Sequence, residues 1–400
     1  MKKLILIIDK WNANKTFIEE ELKCIKEKYE VTIVCDFDNE AKYPKDTKYI
    51  PYRRYKGISA IIKLIKCLFD RITWKELSHL RNKKKKLCKI SEIIRFYINA
   101  ELFWDFFEKE VLPVNEEVIV YSYWYFWKVF AITKNRDKHP NIRIISRAHG
   151  YDLFEEQSPS GYQPYKRAMD DKLDRLVFVA QFGKEYYLDK YSFTDSDKYC
   201  LCHLGTKDYG ILNPYKKEKH MRIVSCSRIV PLKRVDMITD ALSMIDDIEI
   251  EWIHFGGGEM YDAVVKFAKD KLALKSNVRY TFMGNVSKDI IMNYYIENSI
   301  DAFVMVSQSE GNPVSVMEAM SFGIPIITTN ICNMPNMING NGIVMDEESA
   351  SGLVEAIRKL NESDLMEMEK MRNESRRLWE ENYNEKYNNM IFLNDVLLRV

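Results

Sequence analysis

Residues Ser307 to Pro325 constrain this chain more than any other stretch. They read Ser-Gln-Ser-Glu-Gly-Asn-Pro-Val-Ser-Val-Met-Glu-Ala-Met-Ser-Phe-Gly-Ile-Pro. An apolar run, Ala302 to Val306, comes just before and has the character of a parallel strand buried on both faces. Pro313 is expected at the first helical position, with an amphipathic helix continuing to Phe322. Strand, small polar loop and helix start, in that order, set free backbone N–H groups beside the carboxyl end of a strand. Open α/β sheets take ligands there, and an anion is favoured there. Glu310 lies in the loop and Glu318 lies about a turn and a half into the helix. Carboxylates accept hydrogen bonds from the paired hydroxyls of a sugar or ribose, so phosphate donors and hydroxyl acceptors occur together, as a nucleotide sugar requires. Spacing alone also fits an acidic loop followed by an exposed helical Glu.

Glu310 and Glu318, with seven residues between them, sit inside Ser-x-Ser-Glu-Gly-x-Pro-x-Ser-x-x-Glu-Ala-x-x-x-Gly-x-Pro. This pattern resembles the signature of family-4 retaining glycosyltransferases of the GT-B fold, the group 1 glycosyl transferases of capsule and O-antigen synthesis. Three further stretches resemble that family in the right order. Ser227-Arg228-Ile229-Val230-Pro231-Leu232-Lys233 is similar to its Gly-Arg-Leu-x-x-x-Lys. His254-Phe255-Gly256-Gly257-Gly258 is similar to its Gly-x-Gly turn. Met283-Gly284-Asn285-Val286 is similar to its base-binding loop.

The 400 residues suffice for two domains, and a hydrophobic content of 46% supports sizeable cores. The basic and then apolar start, Met1-Lys2-Lys3-Leu4, is cut short by Asp9 and Lys10. No small-residue cleavage site follows, so a signal peptide is not expected. The eight cysteines lack paired metal spacing and read as reduced thiols of a cytoplasmic protein. Net charge is +1 but unevenly spread: residues 51–95 hold fourteen Lys or Arg against three Asp or Glu, a net of +11, leaving −10 for the rest. Such asymmetry fits one face that meets a polyanion or an anionic bilayer.

Residues 3–9, 15–28 and 31–35 read as strand, helix and strand, a Rossmann-like opening without the Gly-x-Gly-x-x-Gly fingerprint. The loop Trp11 to Glu19 resembles a Ser-Glu-Thr-Phe-Ile opening found in part of the same family. That resemblance turns Asn14, Lys15 and Thr16 towards donor phosphate or acceptor; an ordinary helix start is the other reading. Asp36-Phe37-Asp38 reads as a solvated loop, not a metal motif. Residues 57–110 look like an inserted group of helices. In it Ile58, Ile61, Ile62, Ile65, Leu68 and Phe69 fall on one stripe, with Lys63, Lys66 and Arg71 off it and a basic run at Lys83–Lys86. This is a membrane-surface pattern, or else a helix packed on its own domain with a solvated charged face. No nucleic-acid motif accompanies the charge.

Further on, Ser122-Tyr123-Trp124-Tyr125-Phe126-Trp127 either lines a groove for an acceptor sugar or lipid or joins the core. Arg147-Ala148-His149-Gly150-Tyr151-Asp152 resembles the family's Arg-x-His-Gly-x-Asp, whose His faces the transferred sugar; Asp152 is a further candidate. The second half alternates strands at 222–227, 249–255, 278–282, 301–306 and 325–328 with helices at 233–245, 259–273, 287–298, 313–322, 349–360 and 363–381, before a last helix at about 385–398.

The fold class expected is α/β, with two Rossmann-like doubly wound domains facing across a cleft. Residues 1–207 would contact the acceptor, with the basic insertion at about 51–110. Residues 208–384 would hold the nucleotide sugar, and residues 385–400 would cross back to the first domain. By resemblance Arg228 and Lys233 bind the diphosphate, Gly311, Asn312, Pro313 and Val314 hold phosphate and sugar, and Glu318 takes the ribose hydroxyls. Glu310 and His149 contact the hexose, while Gly256, Gly257, Met283, Asn285 and Val286 complete the donor site.

The resemblance implies retention of configuration, no metal, no cofactor beyond a UDP- or GDP-linked co-substrate, and a glycan or lipid-linked acceptor. The charge pattern itself adds the expectation of a cytoplasmic protein on the inner face of the cell membrane, meeting an anionic surface through basic residues 53–95, with no nucleic-acid partner. The alternatives are a non-hydrolysing sugar-nucleotide epimerase of the same fold, or an inactive carbohydrate-binding relative. One departure stands out: Cys332-Asn333-Met334-Pro335-Asn336 replaces a frequent Gly-Gly-x-x-Glu.

Overall fold

The computed structural model describes residues 1–38, 46–53, 57–80, 86–113, 116–310 and 312–400, without the side chains of residues 12–17. The chain forms two compact units. One comprises Met1–Cys202 with Asn389–Val400, the other His203–Asn388.

The first unit contains, in order, β1 (Lys2–Ile7), α1 (Trp11–Lys26), β2 (Tyr29–Asp36), β3 (Lys48–Tyr52), α2 (Ile58–Phe69), α3 (Arg71–Ser78) and α4 (Lys86–Glu110). Then follow β4 (Val118–Ser122), α5 (Trp127–Asn135), β5 (Ile142–Ala148), α6 (Lys166–Asp170), β6 (Arg175–Phe178), α7 (Gln181–Tyr191) and β7 (Tyr199–Leu201). All seven strands are parallel, in the order β3-β2-β1-β4-β5-β6-β7. Side chains alternate across such a sheet, so both faces of β1 must be covered. Ile5 and Ile7 pack with Phe96, Tyr97, Phe130 and Tyr165 from α4, α5 and the loop before α6. Leu4 and Leu6 pack with Ile18, Leu22 and Ile25 of α1 and with Phe392, Leu393, Val396 and Leu397.

The second unit contains β8 (Met221–Cys226), α8 (Val235–Ser243), β9 (Ile250–Phe255), α9 (Tyr261–Leu272), β10 (Val278–Phe282), α10 (Lys288–Glu297), β11 (Ala302–Met305) and α11 (Val314–Ser321). It continues with β12 (Ile326–Thr328), α12 (Met334–Met337), β13 (Gly342–Val344), α13 (Ala350–Glu362) and α14 (Leu365–Asn382). Its parallel sheet runs β10-β9-β8-β11-β12-β13. α8, α9 and α13 cover one face, and α10, α11, α12 and the Trp379 end of α14 cover the other. This is the α/β, GT-B-type pairing of two Rossmann-like units.

Three expectations need correction, and one open alternative is decided. The first helix starts at Trp11, earlier than residue 15, because the loop after β1 is short. Pro313 precedes α11, with ψ at 118°, and Val314 is the first helical residue. The last helix is not continuous: α15 (Glu385–Ile391) gives way to a π-helical segment, Phe392–Leu397. The stripe on α2 is real but points outwards, leaving only Cys67 of that helix buried. Residues 83–85 of the basic run lie outside the described residues. Among the described residues no helix is long and apolar enough to cross a membrane, and no two of the eight cysteines are joined in a disulfide.

Candidate active site

Strand order reverses between β1 and β4 and between β8 and β11. Doubly wound sheets bind ligands beyond the carboxyl ends of their strands at such switch points. In each unit the described residues singled out from the sequence lie in the segments that follow the carboxyl ends of the strands, at these points or on neighbouring strands.

In the second unit, the loops after β8, β9 and β11 are tied to one another. Ile229 N–H donates to Gly257 O at 2.8 Å, Ser227 N–H to Phe255 O at 3.0 Å, and Gln308 N–H to Leu232 O at 2.8 Å. The approach is too close for a side chain at Gly256, whose φ is +130° and whose added Cβ would lie 1.9 Å from Ser227 O. Gly257 N–H donates to Asn285 Oδ1 at 2.9 Å, so Asn285 links the β9 and β10 loops; Met283 is exposed beside it and Val286 is half-buried.

Lys233 closes an ion pair with Glu310. Glu318, on the buried side of α11, pairs with Lys288 at 2.7 Å. Burial pushes the Glu318 carboxyl above its ordinary value, and Lys288 only partly opposes that. Burial pulls the Lys288 ammonium down, but Glu318 outweighs it and holds the charge in place. Each acid is therefore held by a cation from a neighbouring segment, Lys233 after β8 and Lys288 at the start of α10. Arg228 is exposed, and its guanidinium has no hydrogen bond or ion pair among the described residues. Val314 and Ser315 open α11, where first-turn N–H groups lack intrahelical acceptors. Gly311 lies outside the described residues.

Two residues of this site escaped the sequence reading. Lys288 is the first residue of α10, and its place right after the Asn285-Val286 loop is the only local signal. Arg234 adopts φ +48° and braces the end of β11, donating from Nε to Val306 O at 2.7 Å and from Nη2 to Ser307 O at 3.2 Å. The departure at 332–336 keeps a glycine-like turn, because Cys332 takes φ +45°. An amide chain follows, with Asn336 Nδ2 donating to Asn333 Oδ1 at 3.1 Å and Asn333 Nδ2 to Asn312 Oδ1 at 2.5 Å.

In the first unit, His149 follows β5 and packs its ring on Trp124 and Tyr123, with centroids 4.3 and 4.9 Å away. Its Nδ1 lies 3.8 Å from Asp152 Oδ2, and neither ring nitrogen has a hydrogen-bond partner among the described residues. Asp152 is fully buried. It accepts from the N–H groups of His149 and Tyr125 at 2.5 and 2.7 Å, which makes it a positioning residue for the His149 loop and takes it away from any ligand. Lys166 Nζ donates to Asp152 O at 2.6 Å, and burial pulls this ammonium down to about 7.

The aromatic stretch divides. Tyr123 and Tyr125 are core, whereas Trp124, Phe126 and Trp127 wall a cavity of about 590 Å³ with Lys10, Asp36, Arg95 and Tyr151. Asp36 is engaged by Lys128 at 2.9 Å. An apolar groove along α4, lined by Leu87, Ile90, Ile94 and Ile98, shares Arg95 and Asn99 with this cavity. Asn14, Lys15 and Thr16 fall on α1, with their side chains outside the described residues. Among the described residues no group of three His, Cys, Asp or Glu is placed to hold a metal ion.

Two parallel doubly wound, Rossmann-like units define the GT-B class. Residues 213–379 match the family described as Glycosyl transferases group 1. Curated relatives include the O-antigen biosynthesis glycosyltransferase WbnH of Escherichia coli, 25% identical over 32% of this chain and 35% of the relative. WclY, an O-antigen biosynthesis glycosyltransferase of the same organism, is 25% identical over 46% of this chain and 51% of the relative. The chain thus spans about a third to a half of the length of the curated relatives it matches. In fold it is similar to the apo lipopolysaccharide outer core galactosyltransferase WaaB, with a TM-score of 0.71 at 15% identity over the whole of both chains. Anabaena HepE, solved with UDP and glucose, gives a TM-score of 0.64 at 12% identity, again over the whole of both chains.

Proposed function

We propose that this protein is a retaining, metal-independent glycosyltransferase. It moves a hexose from a UDP- or GDP-linked donor to a glycan or lipid-linked acceptor in the synthesis of a cell-surface polysaccharide. The observation that carries the reading is the pair of acid–cation contacts, Lys233–Glu310 and Lys288–Glu318, set around the start of α11.

Departure of a nucleoside diphosphate concentrates negative charge, which fixed donors stabilise without reorganisation. Arg228 grips it bidentately and Lys233 as a point charge. The diphosphate takes Lys233 from Glu310, freeing that carboxylate for the hexose hydroxyls. Lys288 holds one side of Glu318 while the ribose hydroxyls bind the other. The α11 amides and the Asn312–Asn333–Asn336 chain position phosphate and sugar, and His149 offers its unpaired ring nitrogens to the hexose. The acceptor hydroxyl oxygen bonds to the anomeric carbon on the face that the leaving group vacates. The carbon–oxygen bond to the diphosphate breaks, and the hydroxyl proton passes to a phosphate oxygen of the leaving group. The aromatic walls of the first-unit cavity suit an acceptor sugar, and the apolar groove sharing Arg95 suits its lipid.

The test is a thermal-shift screen of UDP-, GDP- and ADP-sugars, since a donor at a hundred times its Kd stabilises by about 2.7 kcal/mol. The matching donor is then used in a transfer assay, where Glu310→Ala is expected to lower kcat by about 10²–10³-fold. Full activity of Glu310→Ala, or no shift with any donor, would overturn the reading.

A further inference from the structure

We propose that the apolar face of α2 inserts into the interfacial layer of an anionic bilayer. This inference does not rest on the sugar-transfer reading. Ile58, Ile61, Ile62, Ile65, Leu68 and Phe69 recur at helical spacing, and each is between 48% and 82% exposed. A contiguous apolar stripe of this kind in contact with water is rare on a protein that works alone in solution.

The reason it faces outwards lies on the other side of the helix. Lys63 pairs with Asp105 at 2.6 Å, and Lys66 pairs with Glu101, which is itself buried and also holds Lys134 at 2.6 Å. The helix is thus docked through its lysines, an inverted amphipath whose oily side is left for another phase. Trp74, on the next helix, is exposed and donates from its indole to Leu68 O at 2.8 Å, at the end of the stripe. An indole of this kind suits the boundary between headgroups and acyl chains.

Charge decides which occupant the face takes. The three acids of residues 51–95 are all engaged: Asp70 by Lys134, Glu92 by Arg95, and Glu76 by the Tyr162 hydroxyl and the Tyr165 N–H. Arg53, Arg71, Lys75 and Lys86 stay exposed, and no acid of the segment is left to oppose them. A second copy of the same face would bring cations against cations. Anionic headgroups complement them while the stripe enters the acyl boundary.

The test is flotation of the full chain with mixed phosphatidylcholine–phosphatidylglycerol vesicles and with phosphatidylcholine alone. The wild type is expected to float with the mixed vesicles. Ile61→Glu/Ile65→Glu is expected to lose at least about tenfold in partitioning, while Leu274→Glu, an apolar-to-acid change on an exposed residue of the second unit, leaves it unchanged. High salt is expected to weaken wild-type binding without abolishing it. Brominated lipid should quench the wild type more than Trp74→Phe. Circular dichroism of each variant confirms that it is folded. Equal flotation of wild type and double Glu variant, complete loss of binding in high salt, or a wild type that dimerises through this face and ignores vesicles would each overturn the proposal.

Discussion

α2 and α11 are both short amphipathic helices, and they meet opposite fates. α11 buries Val316, Met317, Ala319 and Met320 completely and keeps Glu318 against Lys288. α2 turns its isoleucines outwards and its lysines towards the protein. Apolar spacing specifies a helix and a stripe in each case. Whether the stripe faces the core depends on what waits across from the other side. Hydrophobic strands lie beneath α11, whereas Glu101 and Asp105 lie beneath α2, on a helix some forty residues further along the chain.

Removing the acid beneath α2 attacks that contrast directly. Glu101→Ala leaves Lys134 and Lys66 without their shared partner and is expected to cost about 3–5 kcal/mol in urea unfolding. A loss under about 1 kcal/mol would mean that something other than the ion network docks α2. On the α11 side, Met317→Ala opens a cavity and should cost about 2–5 kcal/mol by the same measurement.

Acid should separate the two regions. His254 on β9 is buried, which pulls its pKa from 6.5 to about 4. The unfolded chain binds that proton first, so its stabilising contribution is complete above pH 6.5 and fades between 6.5 and 4. The loss is at most about 3 kcal/mol. For Glu101 and Asp70, burial raises the pKa, but Lys134 with Lys66 outweighs it for Glu101, and Lys134 with Tyr97 outweighs it for Asp70. Both carboxyls end below their ordinary values of 4.5 and 3.8. The stability they add is present above those values and disappears only as pH falls below them. The His254 phase should therefore appear in the second unit in an acid titration followed by hydrogen exchange, offset in part by Glu318 and Asp301, whose raised pKa values act in the opposite direction, and His254→Phe should remove it. The smallest effect belongs to α2 itself: Ile61→Ala should stay within about 0.5 kcal/mol of wild type, because the side chain is already in water.

The contrast also shows how far the sequence could be read. The alternation of the second unit was legible because strands buried on both faces are bare apolar runs, as at Ala302–Met305. β13, Gly342–Val344, and β3, which contains Pro51, carry no such signal and went unread. The candidate residues around α11 were legible because Glu310 and Glu318 stand in one compact motif, 307–325, and Arg228 and Lys233 in another, 227–233. Lys288 and Arg234 were not, since their roles arise only when the loops after β10, β8 and β11 come together. Asp152 was read as a ligand contact because the sequence does not show that its two oxygens are consumed by backbone N–H groups. The orientation of α2 was beyond reach for the same reason: partners 35 to 42 positions away decide it.

The Phe392–Leu397 turn sets a timetable for synthesis. Tyr29 gives its hydroxyl hydrogen to Leu397 O, and Phe392 lies 4.4 Å from the Arg147 guanidinium, which is salt-bridged to Glu21. A ribosome that has made Met1 to Cys202 has therefore released a sheet with one face unfinished. It must produce nearly two hundred more residues before the covering piece exists. His203 to Asn388 form an uninterrupted stretch and can mature in a single pass, so the half of the protein born first is the half completed last.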